Sequence, residues 1–364
     1  MNKIKIDLNN KTILVTGSPG FIGANLVIRL LSELNGGTVI SLDNMNNYYD
    51  ISLKEYRLNL IEKTAENSKV KHIFIKADIA NEKDVNNVFE KYKPNIVVNL
   101  AAQAGVRYSI DHPRDYINSN IIGFFNILEA CRHSYDDGSK GVEHLIYASS
   151  SSVYGNSNKV PFSTDDKVDK PISLYAATKK SNELLAYSYS NLYNIPSTGL
   201  RFFTVYGPAG RPDMFYYSAT QKLIARETIQ IFNYGNMKRD FTYIDDVIEG
   251  IIRVMSGAPS RTIGANRLPF PPYAIYNIGG ETPENIFDFI NILQKELVIA
   301  NILPSNYNFE NYYEFVGMQA GDVSITYSDS KSLEQDYGFK PKIKIRDGLK
   351  LFVEWYKEYY LNKL

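Results

Sequence analysis

A Rossmann-type doubly wound parallel sheet, followed by a smaller α/β substrate-binding domain toward the C-terminal end, is the fold class this sequence predicts. Short β-branched apolar runs alternate with stretches of helical period from Lys11 to about Ser197, the pattern of repeated βαβ units. The first of these runs leads through a glycine-rich turn directly into a helical stretch, as a nucleotide-binding βαβ unit does. After Thr204 the elements shorten, and Pro and Gly cluster at Gly207–Pro212 and Gly257–Pro272, which marks a change of architecture.

The expected strands of the first part are Thr12–Thr16, Thr38–Asp43, Lys71–Ala77, Asn95–Leu100, His144–Ser149 and Ser197–Thr204. Several are apolar without a break, as strands buried on both faces are. Helices fill the gaps, most clearly Phe21–Leu34, Tyr116–His133 and Tyr175–Tyr193, where apolar residues return every three or four positions. Beyond Thr204, Ile229–Phe232 reads as a strand and Asp245–Met255, Glu284–Ile299 and Ile345–Tyr360 as helices. The Pro- and Gly-rich segment Ser256–Tyr273 reads as a mobile surface loop. The domain division expected from this is 1–203 for the dinucleotide-binding part, with the segment near 236–256 returning to it, and 204–364 for the substrate-binding part.

Composition narrows the function classes. The 364 residues carry 40 Lys plus Arg and 40 Asp plus Glu, so no net basic field favours nucleic acid or an anionic membrane surface. With 44% hydrophobic and 22% charged residues, the chain reads as a folded, water-soluble protein. No apolar run approaches the roughly 18 residues that span a bilayer. Cys131 is the single cysteine and no leader pattern opens the chain, so a cytoplasmic location is expected. His72, His112, His133 and His144 lack metal-ligand spacing, and no metal is expected. The tyrosines between Tyr187 and Tyr193 are read as packing residues rather than a stacking platform.

Thr16-Gly17-Ser18-Pro19-Gly20-Phe21-Ile22-Gly23 joins the first strand to the first helix. Gly17 allows the tight turn, Gly20 lets backbone approach a pyrophosphate, and Gly23 lets helix and strand pack closely. Asp43 ends the second strand 20 residues beyond Gly23, where an acidic partner for a ribose 2′-hydroxyl belongs. A carboxylate there repels a 2′-phosphate, and Asn44, Met45 and Asn46 bring no Arg, so NAD is expected over NADP. Asp78, after the third strand, has two readings: a partner for the adenine amino group, or a cap for the helix near Glu82. The expected cofactor contacts are Gly17, Gly20, Phe21, Ile22, Gly23, Asp43, Asn44, Asp78, Ile79, Ala101, Tyr175 and Lys179.

Tyr175 and Lys179 stand four residues apart on one helix face, and Ser149–Ser152 close the preceding strand. A phenol, an ammonium and a hydroxyl so placed suit proton transfer from an alcohol, the ammonium and an oxidised nicotinamide both favouring phenolate. Such a pair also arises by chance on any helix; its weight comes from standing downstream of the dinucleotide turn.

Taken in order, Gly17–Gly23, Asn99–Ala102, Ser149–Gly155, Tyr175–Lys179, Arg201–Pro208 and Arg239–Asp246 resemble the motifs of the extended short-chain dehydrogenase/reductases that act on nucleotide sugars. Within that family, Ala101–Arg107 and Arg201–Pro208 look most like UDP-glucuronate 4-epimerases. The resemblance implies an NAD-dependent C4 epimerisation of a UDP-sugar by transient oxidation to a 4-keto sugar, a step of polysaccharide biosynthesis. UDP-glucuronate to UDP-galacturonate is the leading conversion; UDP-glucose/UDP-galactose or UDP-N-acetylhexosamine is the alternative. A catalytically silent NAD-binding regulator is a second alternative. Helices Tyr116–His133 and Tyr175–Tyr193 correspond to the family's four-helix dimer interface, so a homodimer is expected.

The resemblance also assigns residues. Tyr175, Lys179 and Ser150 would be catalytic. Ser151 and Ser152 stand where dehydrating or decarboxylating relatives carry acids, and Thr204 where UDP-galactose epimerases usually carry Asn. Arg211 could pair with a uronate carboxylate, with Thr204, Ser151 and Ser152 as neutral donors, or could brace a loop between two prolines. Ala209 replaces a Trp usual in glucuronate epimerases, which would loosen the pocket wall. Arg239 would bind the UDP diphosphate and Asp322 the uridine ribose, unless the two form a surface pair. Gln319 is a further substrate contact where many relatives have Arg, and Arg226 is a candidate to supply the missing phosphate contact.

Overall fold

The computed structural model describes residues 3–264, 268–319 and 321–361. The chain opens with β1 (Lys3–Lys5) and then alternates: β2 (Thr12–Thr16), α1 (Phe21–Glu33), β3 (Thr38–Asp43), α2 (Ile51–Glu66), β4 (Lys71–Lys76), α3 (Glu82–Tyr92) and β5 (Ile96–Asn99). Two single turns follow, α4 (Tyr108–Asp111) and α5 (Pro113–Tyr116), then a π-helical stretch Ile117–Ile122 continued by α6 (Gly123–His133), then β6 (His144–Ser150), α7 (Leu174–Tyr193) and β7 (Ser197–Phe202). Next come β8 (Thr204–Tyr206), α8 (Phe215–Ala225), β9 (Ile229–Ile231), β10 (Lys238–Tyr243), α9 (Ile244–Met255), β11 (Gly257–Pro259), β12 (Thr262–Ile263) and β13 (Pro269–Phe270). The remainder is β14 (Tyr273–Ile278), β15 (Pro283–Asn285), α10 (Ile286–Ile299), β16 (Tyr313–Phe315), α11 (Lys331–Tyr337) and α12 (Ile345–Tyr356).

Seven strands form one sheet in the order β4-β3-β2-β5-β6-β7-β14, every pair parallel. Strand residues alternate between two cores, which is why helices can cover both faces. Ile13, Val15, Val39 and Val98 meet the layer of α1 and α9, whereas Leu14, Ile40, Val97 and Leu145 meet α3 and α6 through Val88, Phe124 and Ile127. The strand order reverses between β2 and β5, so the carboxyl ends of these two strands open a crevice, the usual ligand position in such sheets.

The sheet departs from the sequence reading at its edge. β14 pairs in register with β7, from Tyr273 with Ser197 to Ile278 with Phe202, so the chain returns to the large sheet after Pro272. Within the expected loop Ser256–Tyr273, β11 pairs with β1 and β12 with β13; residues 265–267 lie outside the described residues. The expected strand Ser197–Thr204 divides at Phe203, and Thr204 opens β8, which leaves for a second sheet of order β15-β10-β8. Helix α9 follows β10 and buries Val247, Ile251 and Val254 in the core shared with α1. The helix expected at Glu284 begins two residues later, because Pro283–Asn285 pairs with β10 as β15.

Candidate active site

The crevice at the switch point continues into one cleft that collects residues from both parts of the chain. At one end, Gly17, Gly20, Phe21, Ile22 and Gly23 form the wall. Gly17 has φ +71°, and a Cβ on it would stand 2.7 Å from the Ala101 backbone nitrogen. A Cβ on Gly23 would lie 2.2 Å from the Gly17 carbonyl oxygen, so the turn admits no side chain at either place. Helix α1 starts at Gly20 with no side-chain cap and no acid in its first turn, leaving its amide hydrogens to an anion. Ser18 Oγ is buried there without a hydrogen-bond partner among the described residues. The cradle fits a dinucleotide pyrophosphate.

Asp43, Asn44, Asp78, Ile79 and Ala101 continue the same wall. Asp43 Oδ1 accepts the Met45 backbone N–H at 2.7 Å and stands 3.4 Å from the buried Lys54 ammonium. Asp78 accepts from the Ala80 N–H at 2.8 Å and from Asn44 Nδ2 at 2.9 Å. The capping reading of Asp78 falls away, because Asn81 caps α3 by accepting the Lys83 N–H.

Tyr175, Lys179 and Ser150 meet further along the cleft. Ser173 caps α7 by accepting the Ala176 N–H at 3.1 Å, which starts the helix one residue before Tyr175. Lys179 Nζ donates to the Ala148 carbonyl at 2.9 Å, and burial lowers its pKa from 10.5 to about 8. Ser150 Oγ accepts from Ser152 N at 3.2 Å and Ser152 Oγ at 3.0 Å and stands close enough to the Tyr175 phenol to lower its pKa. In the protein alone, burial raises the Tyr175 pKa above 10, while Ser150 and the Arg211 charge pull it back. The lowered phenol pKa expected from the Tyr-Lys spacing is thus not found in the protein alone, because burial outweighs the groups that favour phenolate.

Ser149 points away from this group: its Oγ donates at 2.7 Å to Glu183, which holds Arg201 in a fully buried two-point ion pair. Ser151, Ser152, Thr204 and Arg211 line the cleft beyond Tyr175. Arg211 donates from Nε and Nη2 to the two oxygens of Asp213, at 3.0 and 2.5 Å. Burial disfavours its charge, but Asp213 outweighs burial and keeps the guanidinium protonated. Arg239 Nη2 donates to Asp322 Oδ1 at 2.6 Å, and both residues line the far end; the pair belongs to the cleft and not to the open surface.

Three expectations fail. Gln319 does not reach the lining, although its neighbours Gly321, Asp322 and Val323 do; its Oε1 is buried without a partner among the described residues. Arg226 sits exposed at the left-handed end of α8, away from the cleft; Arg107, packed 4.7 Å over the Phe232 ring, is the cation close to Asp322 and Arg239. Ala209 is not part of the pocket wall; it is buried with its carbonyl turned to Arg57. Sequence reasoning also missed Lys54 and Tyr48, which line the cleft, and Asp213 behind Arg211, which accepts a 3.4 Å hydrogen bond from the Tyr48 hydroxyl. For Lys54 a signal existed: a basic residue between the buried Leu53 and Ile61 on one face of α2.

A parallel sheet with a glycine turn at its switch point, joined to a Tyr-Lys-Ser cluster, defines a dinucleotide-dependent enzyme. Residues 13–279 match the NAD dependent epimerase/dehydratase family, and the chain belongs to it. It is 47% identical to Protein CapI of Staphylococcus aureus over 96% of this chain and 99% of that protein. It is 39% identical to UDP-glucuronate 4-epimerase 2 of Arabidopsis thaliana, over 97% of this chain and 77% of that one. Among solved structures, UDP-glucuronic acid 4-epimerase from Bacillus cereus, in complex with UDP-glucuronic acid and NAD, superimposes with a TM-score of 0.81 at 30% identity, covering 96% of this chain and all of that one.

Proposed function

We propose that this protein epimerises UDP-glucuronate and UDP-galacturonate at C4, with NAD as a retained cofactor. The observation that carries the substrate choice is Arg211, a protonated guanidinium in the cleft wall with Thr204, Ser151 and Ser152 beside it. Asp213 takes two of its N–H groups, and an Arg has five, so three are left for the acid group of a hexuronate. Similarity to UDP-glucuronate 4-epimerases supports the same choice.

The glycine turn and Asp43 hold the dinucleotide, with Lys179 and Tyr175 at its reactive end. When bound there, NAD would supply a reversible hydride acceptor for C4, with no net redox change over a turnover. Tyr175 Oη takes the proton of the C4 hydroxyl and gives it back after inversion. Ser150 Oγ hydrogen-bonds the C4 oxygen in both orientations. Arg239 holds the diphosphate while the 4-keto sugar turns over, and Asp322 accepts from the uridine ribose. Segment 204–364 supplies most of these sugar-nucleotide contacts, and segment 1–203 most of those to the dinucleotide.

The same reading extends to assembly and setting. Ile117, Ile122 and Phe125 by α6, and Leu184 and Tyr187 on α7, are between 42% and 60% exposed; they support a homodimer through a four-helix bundle. We infer a cytoplasmic setting, with which the buried, reduced Cys131 accords, and a role in polysaccharide biosynthesis, which rests on the similarity to UDP-glucuronate 4-epimerases; among the described residues no helix is long and apolar enough to cross a membrane. Purified protein, without added NAD, is incubated with UDP-glucuronate and with UDP-galactose. UDP-galacturonate as the product is the expected result; interconversion of the neutral sugars instead, or no reaction even with NAD supplied, overturns the proposal.

A further inference from the structure

Arg57, on the inner face of α2, is 1% exposed and takes no part in the chemistry above. Its guanidinium donates from Nε to the Ala209 carbonyl at 2.8 Å and from Nη2 to the Gly210 carbonyl at 2.8 Å. Nη1 donates to the Pro19 carbonyl at 3.1 Å and to Tyr49 Oη at 2.6 Å. No ion pair neutralises Arg57 among the described residues. A buried cation satisfied by three neutral carbonyls and the hydroxyl and ring of Tyr49 is costly, and an apolar side chain of similar volume would fill the space at less cost. Its partners show what is gained.

Pro19 belongs to the dinucleotide turn, and Ala209 and Gly210 immediately precede Arg211. Ala209 has φ +51°, a left-handed conformation uncommon for a residue with a Cβ. A Cβ on Gly210 would fall 1.6 Å from Tyr216 Oη. This backbone therefore has little freedom, and both of its carbonyls turn inward to one guanidinium while Arg211 faces the cleft. We propose that Arg57 is a positioning residue that ties the dinucleotide turn to the loop presenting Arg211, so that recognition of the sugar's acid group depends on a clamp outside the cleft. The proposal rests on the reading of Arg211 as the carboxylate partner.

A double-mutant cycle in the NAD-loaded protein tests it, using Arg57→Met, Arg211→Met and the double variant, titrated with UDP-glucuronate and with UDP as a ligand lacking the sugar. Arg57→Met is expected to weaken UDP-glucuronate about tenfold in the otherwise intact chain and less than about twofold when Arg211 is already Met, because the effect travels through Arg211. UDP affinity stays unchanged in all variants. Equal losses for UDP and UDP-glucuronate, or the same loss in both backgrounds, mean a merely structural Arg57 and overturn the proposal. If Arg57→Met does not fold, Arg57→Lys carries the same cycle, since one ammonium cannot span all three segments. A wild-type protein that binds UDP-glucuronate no better than UDP overturns the uronate reading and this inference together, whereas additive losses on top of a clear uronate preference overturn this inference alone.

Discussion

Replacing Arg211 by Met tests how the acid group is recognised. In the protein Arg211 spends Nε and one Nη2 bond on Asp213, at 3.0 and 2.5 Å. A uronate would take the remaining N–H groups, and hydrogen bonds to charged groups contribute about 1.5–3 kcal/mol each. Counting two such bonds, less the cost of desolvating the acid, about 3 kcal/mol of binding disappears, which is roughly a 100-fold weaker complex at 1.4 kcal/mol per tenfold. A neutral hydroxymethyl group at C5 forfeits at most one ordinary hydrogen bond of about 1 kcal/mol, or about fivefold. The substitution also strands Asp213, which burial disfavours and which Arg211, with lesser help from a backbone N–H and the Tyr48 hydroxyl, holds below the usual carboxylate range. Arg211→Met is therefore best compared in an Asp213→Asn background, where no orphan carboxylate repels the ligand. Calorimetric titration of the NAD-loaded variants with UDP-glucuronate and UDP-glucose reads the two affinities directly. Equal fractional losses for both ligands would refute the carboxylate role, and Arg211 would then be a brace for its loop.

Three further outcomes follow from the same geometry. Gly23→Ala places a Cβ 2.2 Å from the Gly17 carbonyl oxygen, an overpacking worth roughly 1–3 kcal/mol; nucleotide released on denaturation should fall well below one NAD per chain, and full retention would show that the turn can yield. Asp43→Asn leaves the Lys54 ammonium, 3.4 Å away, without its counter-charge; discrimination against NADP should relax by about tenfold or more as a 2′-phosphate gains a cation, and unchanged discrimination in cofactor titrations would count against this placement of the ribose. Lys179 has a folded pKa of about 8 against 10.5 when exposed, so between these values the unfolded chain holds more protons and this group's contribution to stability rises with pH. Below about pH 8 the buried ammonium costs on the order of 3 kcal/mol. Lys179→Met should accordingly be the more stable protein at pH 7, its advantage shrinking as pH rises from 8 toward 10.5; a gap in thermal midpoint that ignores pH would refute a charged, buried Lys179.

Legibility tracked the length scale of the cause. The first six strands of the large sheet could be read because each is a short β-branched, largely apolar run, several of them unbroken, and α1 because Phe21, Ala24, Val27 and Leu31 fall on one buried stripe. Helix α2 was not singled out because its inner face is half polar: Leu53 and Ile61 share it with Lys54 and Arg57, whose charges are met by Asp43 and by carbonyls from distant loops. β14 escaped for another reason. Its six residues pair with β7 across some 70 residues of intervening chain, a register that no local signal announces. Gln319 and Asp322 lie three residues apart, yet the turn in which the Asp322 N–H donates to the Gln319 carbonyl delivers only Asp322 to the cleft.

By itself the sequence determined the dinucleotide turn, the acidic end of β3 and the Tyr175-Lys179 pair, because each is set by backbone sterics or helical spacing within a few residues. It determined NAD as the cofactor for the same local reason. Tertiary structure alone decided which charges face the cleft and in what state. Arg211 is coupled to Asp213 and tied through its loop to Arg57. Ser149 is withdrawn beneath the site by Glu183, while its neighbour Ser150 meets Tyr175. Burial sets Lys179 near pH 8. These depend on desolvation and on partners from other elements, which act through space and leave no periodic trace along the chain.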